Sequence, residues 1–388
     1  MSFCSNNIDA SCLNGGQCMT NSCLCSSACF LGNRCEIYYN AIDLPFSSAM
    51  LEDTFAARII YIIVITSLVG IGLMNNIAGL MTFTRENIRI TACGVYLIVF
   101  STCTILLMIF LQISVLTVAD YDTPSFRLWS CYASPYMSLT MGYTGIWLSV
   151  GVAVERVLIE CFNMKFYGTR RHAILISIGF FVYSAASNLP AIFGRKYAPD
   201  PGGKSICVYD YTNSPAWKQA DTVFSYIHVI VPCVVHLICT GCILTAIARR
   251  KILIHRNNHP DQRLCCVWLQ QLYVHRDFLV PPLFLIVCLL PNVIHGHLIV
   301  KCAPYSSFED LRLHIVFIFL MHVPPVFVYV VYIYPNDSYR KELRQTSFYR
   351  VLCCCFYRRN QWRAAPQHYS IPLTKLNISS QIVEDSHL

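Results

Sequence analysis

Long apolar stretches alternate with short polar ones from residue 57 to residue 334. They run at about 57–83, 92–117, 133–159, 173–194, 222–248, 277–300 and 312–334. A helix rises about 1.5 Å per residue and a bilayer's hydrocarbon core is about 30 Å thick, so roughly 20 apolar residues cross it. Each stretch is long enough, and seven spanning helices are expected. The flanks follow other patterns. Residues 4–35 carry seven cysteines and no apolar run, whereas Tyr339-Arg340-Lys341-Glu342-Leu343-Arg344 opens a short amphipathic basic helix leading to Cys353, Cys354 and Cys355. The expected organisation is a disulfide-rich module at 1–36, a linker at 37–56, a membrane domain at 57–335, an amphipathic helix with a cysteine cluster at 336–355 and a disordered tail at 356–388.

Composition supports an all-α membrane protein. Of 388 residues, 55% are hydrophobic and 13% charged, about half the charge of a soluble domain. A formal charge of +8 would ordinarily raise nucleic acid as a partner. Here 20 of the 29 lysines and arginines fall on the side that becomes cytoplasmic if the N-terminus is outside, which is the positive-inside pattern. The charge reports topology, and no nucleic-acid partner is expected. Met1-Ser-Phe-Cys4 shows no basic or apolar leader, so the first span is expected to act as the targeting signal. The expected location is the plasma membrane, with the N-terminus extracellular and the C-terminus cytoplasmic.

Seven cysteines in so short a stretch imply disulfides in place of a core; the paired C-x2-C knuckles of zinc ribbons are absent, and no metal is expected. The segments Cys12-Leu-Asn-Gly-Gly-Gln-Cys18 and Cys23-Leu-Cys25…Phe30-Leu-Gly-Asn-Arg-Cys35 resemble an epidermal-growth-factor-like module. That resemblance implies the pairs Cys4–Cys18, Cys12–Cys23 and Cys25–Cys35, leaving Cys29 over. Cys302, between the sixth and seventh stretches, is also left over. Two odd cysteines in an oxidising compartment suggest each other, so a Cys29–Cys302 disulfide is expected, with a rearranged module pairing or free thiols as the alternatives.

Within the third stretch, Cys131 and the pair Glu155-Arg156 lie about 37 Å apart along a helix, one at each membrane face. A lone arginine there often only snorkels to anchor a helix end. The cysteine at the opposite face points elsewhere, because the spacing resembles the third span of rhodopsin-like G-protein-coupled receptors. Asn76 in the first span, Pro232 and Pro291 in the fifth and sixth, Tyr332 ending the seventh, and Cys207 as a partner for Cys131 match the same family pattern. The resemblance implies a seven-transmembrane bundle in which Glu155, Arg156, Pro291 and Tyr332 serve coupling to a heterotrimeric G protein. The chain departs from the pattern at Ser101, Leu289, Gln271 and Val328-Tyr329, which argues against a sodium-regulated switch.

An aspartate for a ligand amine would stand at Ser138, and a lysine for retinal at His322; neither is present. Aromatic and polar residues near the outer ends, with Tyr209, Trp217 and His295 beside Ser138 and His322 as candidate ligand contacts, suit a peptide. An interfacial aromatic belt accounts for any one of them equally well. Cys353, Cys354 and Cys355 are candidates for palmitoylation or plain cytosolic thiols. A transporter would show inverted repeats and intramembrane carboxylates, which are missing. A seven-span adhesion protein working through its growth-factor-like module is the competing class. An enzyme is not expected, since His275 and Asp277 lie near each other without a nucleophile or metal-ligand spacing. No cofactor is expected; the partners expected are the bilayer, an extracellular peptide and a G protein.

Overall fold

The structure is a computed structural model. It describes residues 17–18, 23–24, 30–31, 35, 37–38, 46, 50, 53–119, 128–164, 169–199, 205–209, 215–255, 267–271, 276–295 and 308–350. Two compact units divide the chain, Met1–Thr346 and Ser347–Leu388. The second is described only as a helical turn at 347–350, so Cys353, Cys354 and Cys355 lie outside the described residues.

Among the described residues of the first unit are seven helices of 18 to 41 residues: α1 (Phe55–Phe83), α2 (Ala92–Val118), α3 (Ser134–Glu160), α4 (Arg170–Ser187), α5 (Pro215–His255), α6 (Arg276–Ile294) and α7 (Phe308–Val326). A shorter helix, α8 (Asp337–Arg344), follows. The stretches from 55, 92, 129, 170 and 216 are long and apolar enough to cross a membrane, and Leu283–Asn292 and Leu311–Val326 are shorter apolar pieces. The helices close a ring, α1 on α2, α2 on α3, α3 on α5, α5 on α6, α6 on α7 and α7 back on α1, with α4 against α2 and α3. Helix α1 shows its logic: Val69, Gly72, Asn76 and Gly79 turn inward, while Ile60, Ile63 and Ile71 are exposed, as suits a lipid-facing side.

Helix ends depart from the apolar runs for local reasons. Thr54, Thr91 and Asn336 accept hydrogen bonds from the backbone N–H of Ala57, Gly94 and Tyr339, capping α1, α2 and α8. Helix α5 is longer than its expected 222–248 because a helix needs only its backbone bonds, not apolar side chains, to continue past a membrane edge. The expected seventh stretch is not one regular helix. Pro324 and Pro325 lack the N–H groups that would bond the preceding turn, and beyond Val326 the chain resumes as an i→i+5 turn over Tyr329–Ile333, closed by Tyr334 N–H to Tyr329 O at 2.7 Å. The Pro325 carbonyl is held instead by Asn76 Nδ2 at 2.8 Å, which also donates to Gly72 O. The fourth stretch also breaks, at Asn188, where the helix yields to a short one at Leu189–Phe193 that carries Pro190.

In the N-terminal region, β1 (Gln17–Cys18) pairs antiparallel with β2 (Cys23–Leu24), and β3 (Phe30–Leu31) with β4 (Ile37–Tyr38). Cys23 and Cys35 are both disulfide-bonded. Cys4, Cys12, Cys25, Cys29 and Cys302 lie outside the described residues. A third hairpin, absent from the sequence-based expectation, joins α4 to α5: β5 (Arg195–Pro199) against β6 (Ser205–Tyr209).

The turn between α1 and α2 is tight enough to require glycine at one position. A Cβ on Gly94 would lie 2.0 Å from the Ile88 carbonyl oxygen, a backbone atom that cannot rotate away. Gly94→Ala should therefore destabilise the bundle by about 1–3 kcal/mol through overpacking. A lowered melting temperature of detergent-purified protein would show it, with Gly142→Ala, where the added Cβ meets nothing within 4 Å, as the neutral control.

Candidate functional site

At one end of the bundle Cys131 and Cys207 form a disulfide with Cα atoms 5.6 Å apart, tying the start of α3 to β6. Arg195, on β5, donates from Nη1 to the Cys131 carbonyl at 2.9 Å. The hairpin is thus fastened over the mouth of the helical ring by one covalent bond and one charge-assisted hydrogen bond. Beneath lies a cavity of about 350 Å³. Its deep wall is apolar, with Phe100, Leu107, Met141, Ile146, Leu285 and Leu289. Polar groups gather on the α4–α5 side, where Asn188, Arg195, Asp221, Thr222 and Ser225 line it, and on α7, where His314 and His322 do. An apolar well with a few placed polar groups is the ordinary build of a ligand site.

The wall between α3, α4 and α5 is braced by a buried chain of hydrogen bonds. Trp147 Nε1 donates to His228 Nδ1 at 2.9 Å. An indole nitrogen can only donate, so His228 carries its proton on Nε2, which meets Ser187 Oγ at 2.7 Å. The ring also stacks on Tyr143, with centroids 4.1 Å apart and planes within 5°. A second histidine, His236, lies 2.9 Å from Ser149 Oγ. Because the Ser149 hydroxyl donates to Ile146 O, it accepts there, and Tyr332 lies beside both residues on the wall of a small void.

On the α7 side, residues ahead of α1 fold into the bundle. Met50 is fully buried in the cluster of α1, α2 and α7 side chains. Phe46 lines the cavity, its ring edge-on to Phe319 at 5.4 Å and stacked 6.3 Å from His322. Asp53 is 2% exposed and its carboxylate accepts from Arg312 Nε and Nη2 at 3.1 and 3.2 Å, from Tyr61 Oη at 2.7 Å and from Thr54 N–H at 2.6 Å. Burial alone would push this carboxyl up. The hydrogen bonds from Arg312, Tyr61 and Thr54, with the guanidinium charge, outweigh it and hold the group at about 2, below its ordinary 3.8. A depressed carboxylate pKa adds stability above the ordinary value, lost as pH falls through about 2. The bond is therefore intact across physiological pH.

At the opposite end a cavity of about 640 Å³ is lined by Glu155, Arg156, Asn87, Cys93, Tyr339 and Glu342 among others. Arg156 lines this cavity beside Tyr339, whose hydroxyl lies 3.5 Å from Cys93 Sγ. Burial pushes the Tyr339 phenol upward, as does the neighbouring Cys93 thiol, while Arg156 pulls it down. Glu342 on α8 accepts from Asn87 Nδ2 at 2.7 Å and pairs with Arg85 at 3.4 Å. Arg250 on α5 pairs with Glu160 on α3.

The structure gathers some of the candidate residues and separates others. Ser138 and His322 line the ligand cavity. Trp217 packs tilted against Phe193 with ring centroids 5.4 Å apart and is 40% exposed, outside the cavity lining. His295 is buried against His314 and Phe317, one layer behind the wall. Tyr209 falls on β6, and its side chain lies outside the described residues. Glu155 and Arg156 line the second cavity, Tyr332 sits against Ser149 and Phe100, and Pro291 lies in the last turn of α6. Sequence reasoning missed Phe46, Arg195, Asp221 and Arg312. The three charged residues sit at span ends, which is a signal; Phe46 carried none.

A ring of apolar helices, a hairpin disulfide-linked to one of them, and a cavity at each end define a polytopic membrane receptor. Residues 75–358 match the 7 transmembrane receptor (rhodopsin family). The chain belongs to that family, which is one of signalling receptors and not of enzymes. Among curated proteins it is similar to rhodopsin of Sminthopsis crassicaudata, at 29% identity over 116 residues, covering 29% of this chain and 33% of that protein. The matched part thus spans about a third of the relative's length.

The contacts of Glu342 make α8 depend on the turn between α1 and α2. Glu342→Ala should raise amide exchange across 337–344, whereas Lys341→Ala, at an exposed position of the same helix, should leave it unchanged. Hydrogen–deuterium exchange of the full-length protein measures both.

Proposed function

We propose that this chain is a plasma-membrane G-protein-coupled receptor whose extracellular ligand is a peptide. The observation that carries this reading is the pair of cavities at opposite ends of one helical ring, one beneath a disulfide-fastened hairpin and one around Arg156. About 350 Å³ holds one or two side chains rather than a folded ligand. A peptide would insert one end there and lie along the β5–β6 hairpin with the remainder, using backbone donors and acceptors it already carries. Asp221, Thr222, Ser225 and Arg195 supply polar contacts at the mouth, and Ser138 and His322 supply them deeper.

In this reading the N-terminus is outside and residues 1–36 form a growth-factor-like module with the pairs Cys4–Cys18, Cys12–Cys23 and Cys25–Cys35. The linker at 37–56 leads into the membrane domain at 57–335. The C-terminus is cytoplasmic, with Cys353, Cys354 and Cys355 as lipid-attachment sites on the stretch after α8. Ligand binding biases the bundle toward a state in which Arg156 leaves Tyr339 and meets a heterotrimeric G protein, a population shift without covalent chemistry. Glu155, Tyr332 and Pro291 take part in that change. Ser101, fully buried on α2, offers a hydroxyl where a sodium site would need an anion.

Two outcomes test the reading. Arg156→Ala should reach the surface normally and lose roughly tenfold or more of agonist-driven G-protein activation, as expected when a group acting in only one of two states is removed. Undiminished signalling at matched surface expression would refute the assignment. Agonist affinity should also be the same in sodium as in an equal concentration of N-methylglucamine, and a sodium-specific shift in radioligand displacement would contradict the reading that a hydroxyl at Ser101 cannot hold the ion.

A further inference from the structure

The ligand cavity already has an aromatic side chain of this chain in its wall, and that residue does not come from the helices. Phe46 precedes α1 by nine residues, yet it lines the cavity beside Ile318 and His322 and packs edge-on against Phe319. Three features keep it there. Met50 is wholly buried among α1, α2 and α7 side chains, so its thioether anchors the chain four residues on. Asp53 then meets Arg312 of α7 through two hydrogen bonds to its two carboxylate oxygens, with Tyr61 and Thr54 completing its shell. Arg58 Nε holds the Asp53 carbonyl at 2.9 Å, fixing the backbone as well. A bidentate pair whose carboxylate is buried fixes the direction of approach, even with its guanidinium half-exposed.

Building on the receptor reading, we propose that Phe46 is an internal ligand: an aromatic group held in the α7 side of the cavity by the Met50 anchor and the Asp53–Arg312 latch. It divides the site in two. The α7 half, lined by Ile318 and His322, is an aromatic subsite filled by the receptor itself. The other half, toward Asp221, Thr222 and Ser225, is left to the extracellular ligand. That ligand contributes polar or cationic groups to the α5 side and packs an apolar face against Phe46. An ordered group already in place spares the incoming ligand part of the entropic cost of filling the well.

The test uses the full-length receptor on intact cells and a membrane-impermeant cationic methanethiosulfonate as probe. Ile318→Cys reports the α7 half, Thr222→Cys reports the α5 half, and the parent receptor sets the background of native thiols. With Phe46→Ala, the Ile318→Cys reaction should speed about tenfold, and with Asp53→Asn it should speed several-fold, as the occupied fraction falls. Thr222→Cys should change less than twofold in either. The Asp53→Asn arm is stringent, because the Arg312 charge it uncovers repels the probe. An unchanged Ile318→Cys rate, or equal acceleration at both positions, overturns the proposal. Should either variant fail to reach the surface, p-benzoylphenylalanine at position 46 decides: cross-linking to the fragment holding Phe319 and His322 supports it, and cross-linking elsewhere or not at all overturns it. If Thr222→Cys does not react in the otherwise unaltered receptor, the cavity is closed to the outside and the receptor reading itself falls. If it reacts while Ile318→Cys stays unresponsive, only the internal ligand falls.

Discussion

Hydrocarbon offers a polar group nothing to bond to, and that constraint shapes the interior of this protein. Each backbone N–H and C=O in the membrane must find a partner within the chain, and a polar side chain buried there is costly without one. Thr82, Thr104, Thr144 and Ser177 turn back on the carbonyl four residues before them, the cheapest solution for a short hydroxyl in a helix. Where a helix breaks, another helix must supply the donor. The Pro325 carbonyl is met by Asn76 from α1, and that single bond sets the register of α7 against α1. His228 does the same for α3, α4 and α5, accepting from Trp147 and donating to Ser187. The apolar residues supply packing area but little choice of register, since lipid is nearly as good a neighbour as another leucine.

The two cavities are joined by α3. Gly145 and Ile146 form part of the floor of one, and Arg156 lines the other. Ten or eleven residues separate them, about 16 Å of helix. Between them Ser149 receives His236 from α5, with Tyr332 from beyond α7 close by. A polar layer thus lies on the direct path between the two ends, where purely apolar packing would have been the cheaper arrangement. A small void of about 50 Å³ borders the same residues together with Arg156 and Pro281, so the layer is less tightly filled than the core around it.

The chain ahead of α1 behaves as part of the bundle. Asp53 and Arg312 lie 259 residues apart in sequence and are in register only because α1 and α7 are neighbours in the closed ring. An arginine at the end of an apolar helix snorkels by default. Here its guanidinium has a carboxylate to meet, and the result fastens the linker to the helix that carries Phe319 and His322.

Much of this was legible in the residues themselves. Apolar run length placed the helices to within a few residues for α1, α2 and α3, because a membrane imposes one length on every crossing segment. The third apolar run put Arg156 near the end of α3 and Cys131 just ahead of its start, which is where the structure has them. Three things were decided only by the tertiary structure. The β5–β6 hairpin depends on a disulfide between residues 76 apart, with no local alternation to announce it. The divided seventh stretch depends on whether a partner helix can take up the Pro325 carbonyl left over where the helix stops at Val326, and only the placement of Asn76 answers that. The composition of the ligand cavity depends on which faces of five helices, one hairpin and one linker residue turn toward a common point. Ser138 and His322 turn inward and Trp217 does not, because side-chain direction follows from helix rotation. That rotation is set by the sum of packing and buried hydrogen bonds across the whole ring, which no single stretch of sequence contains.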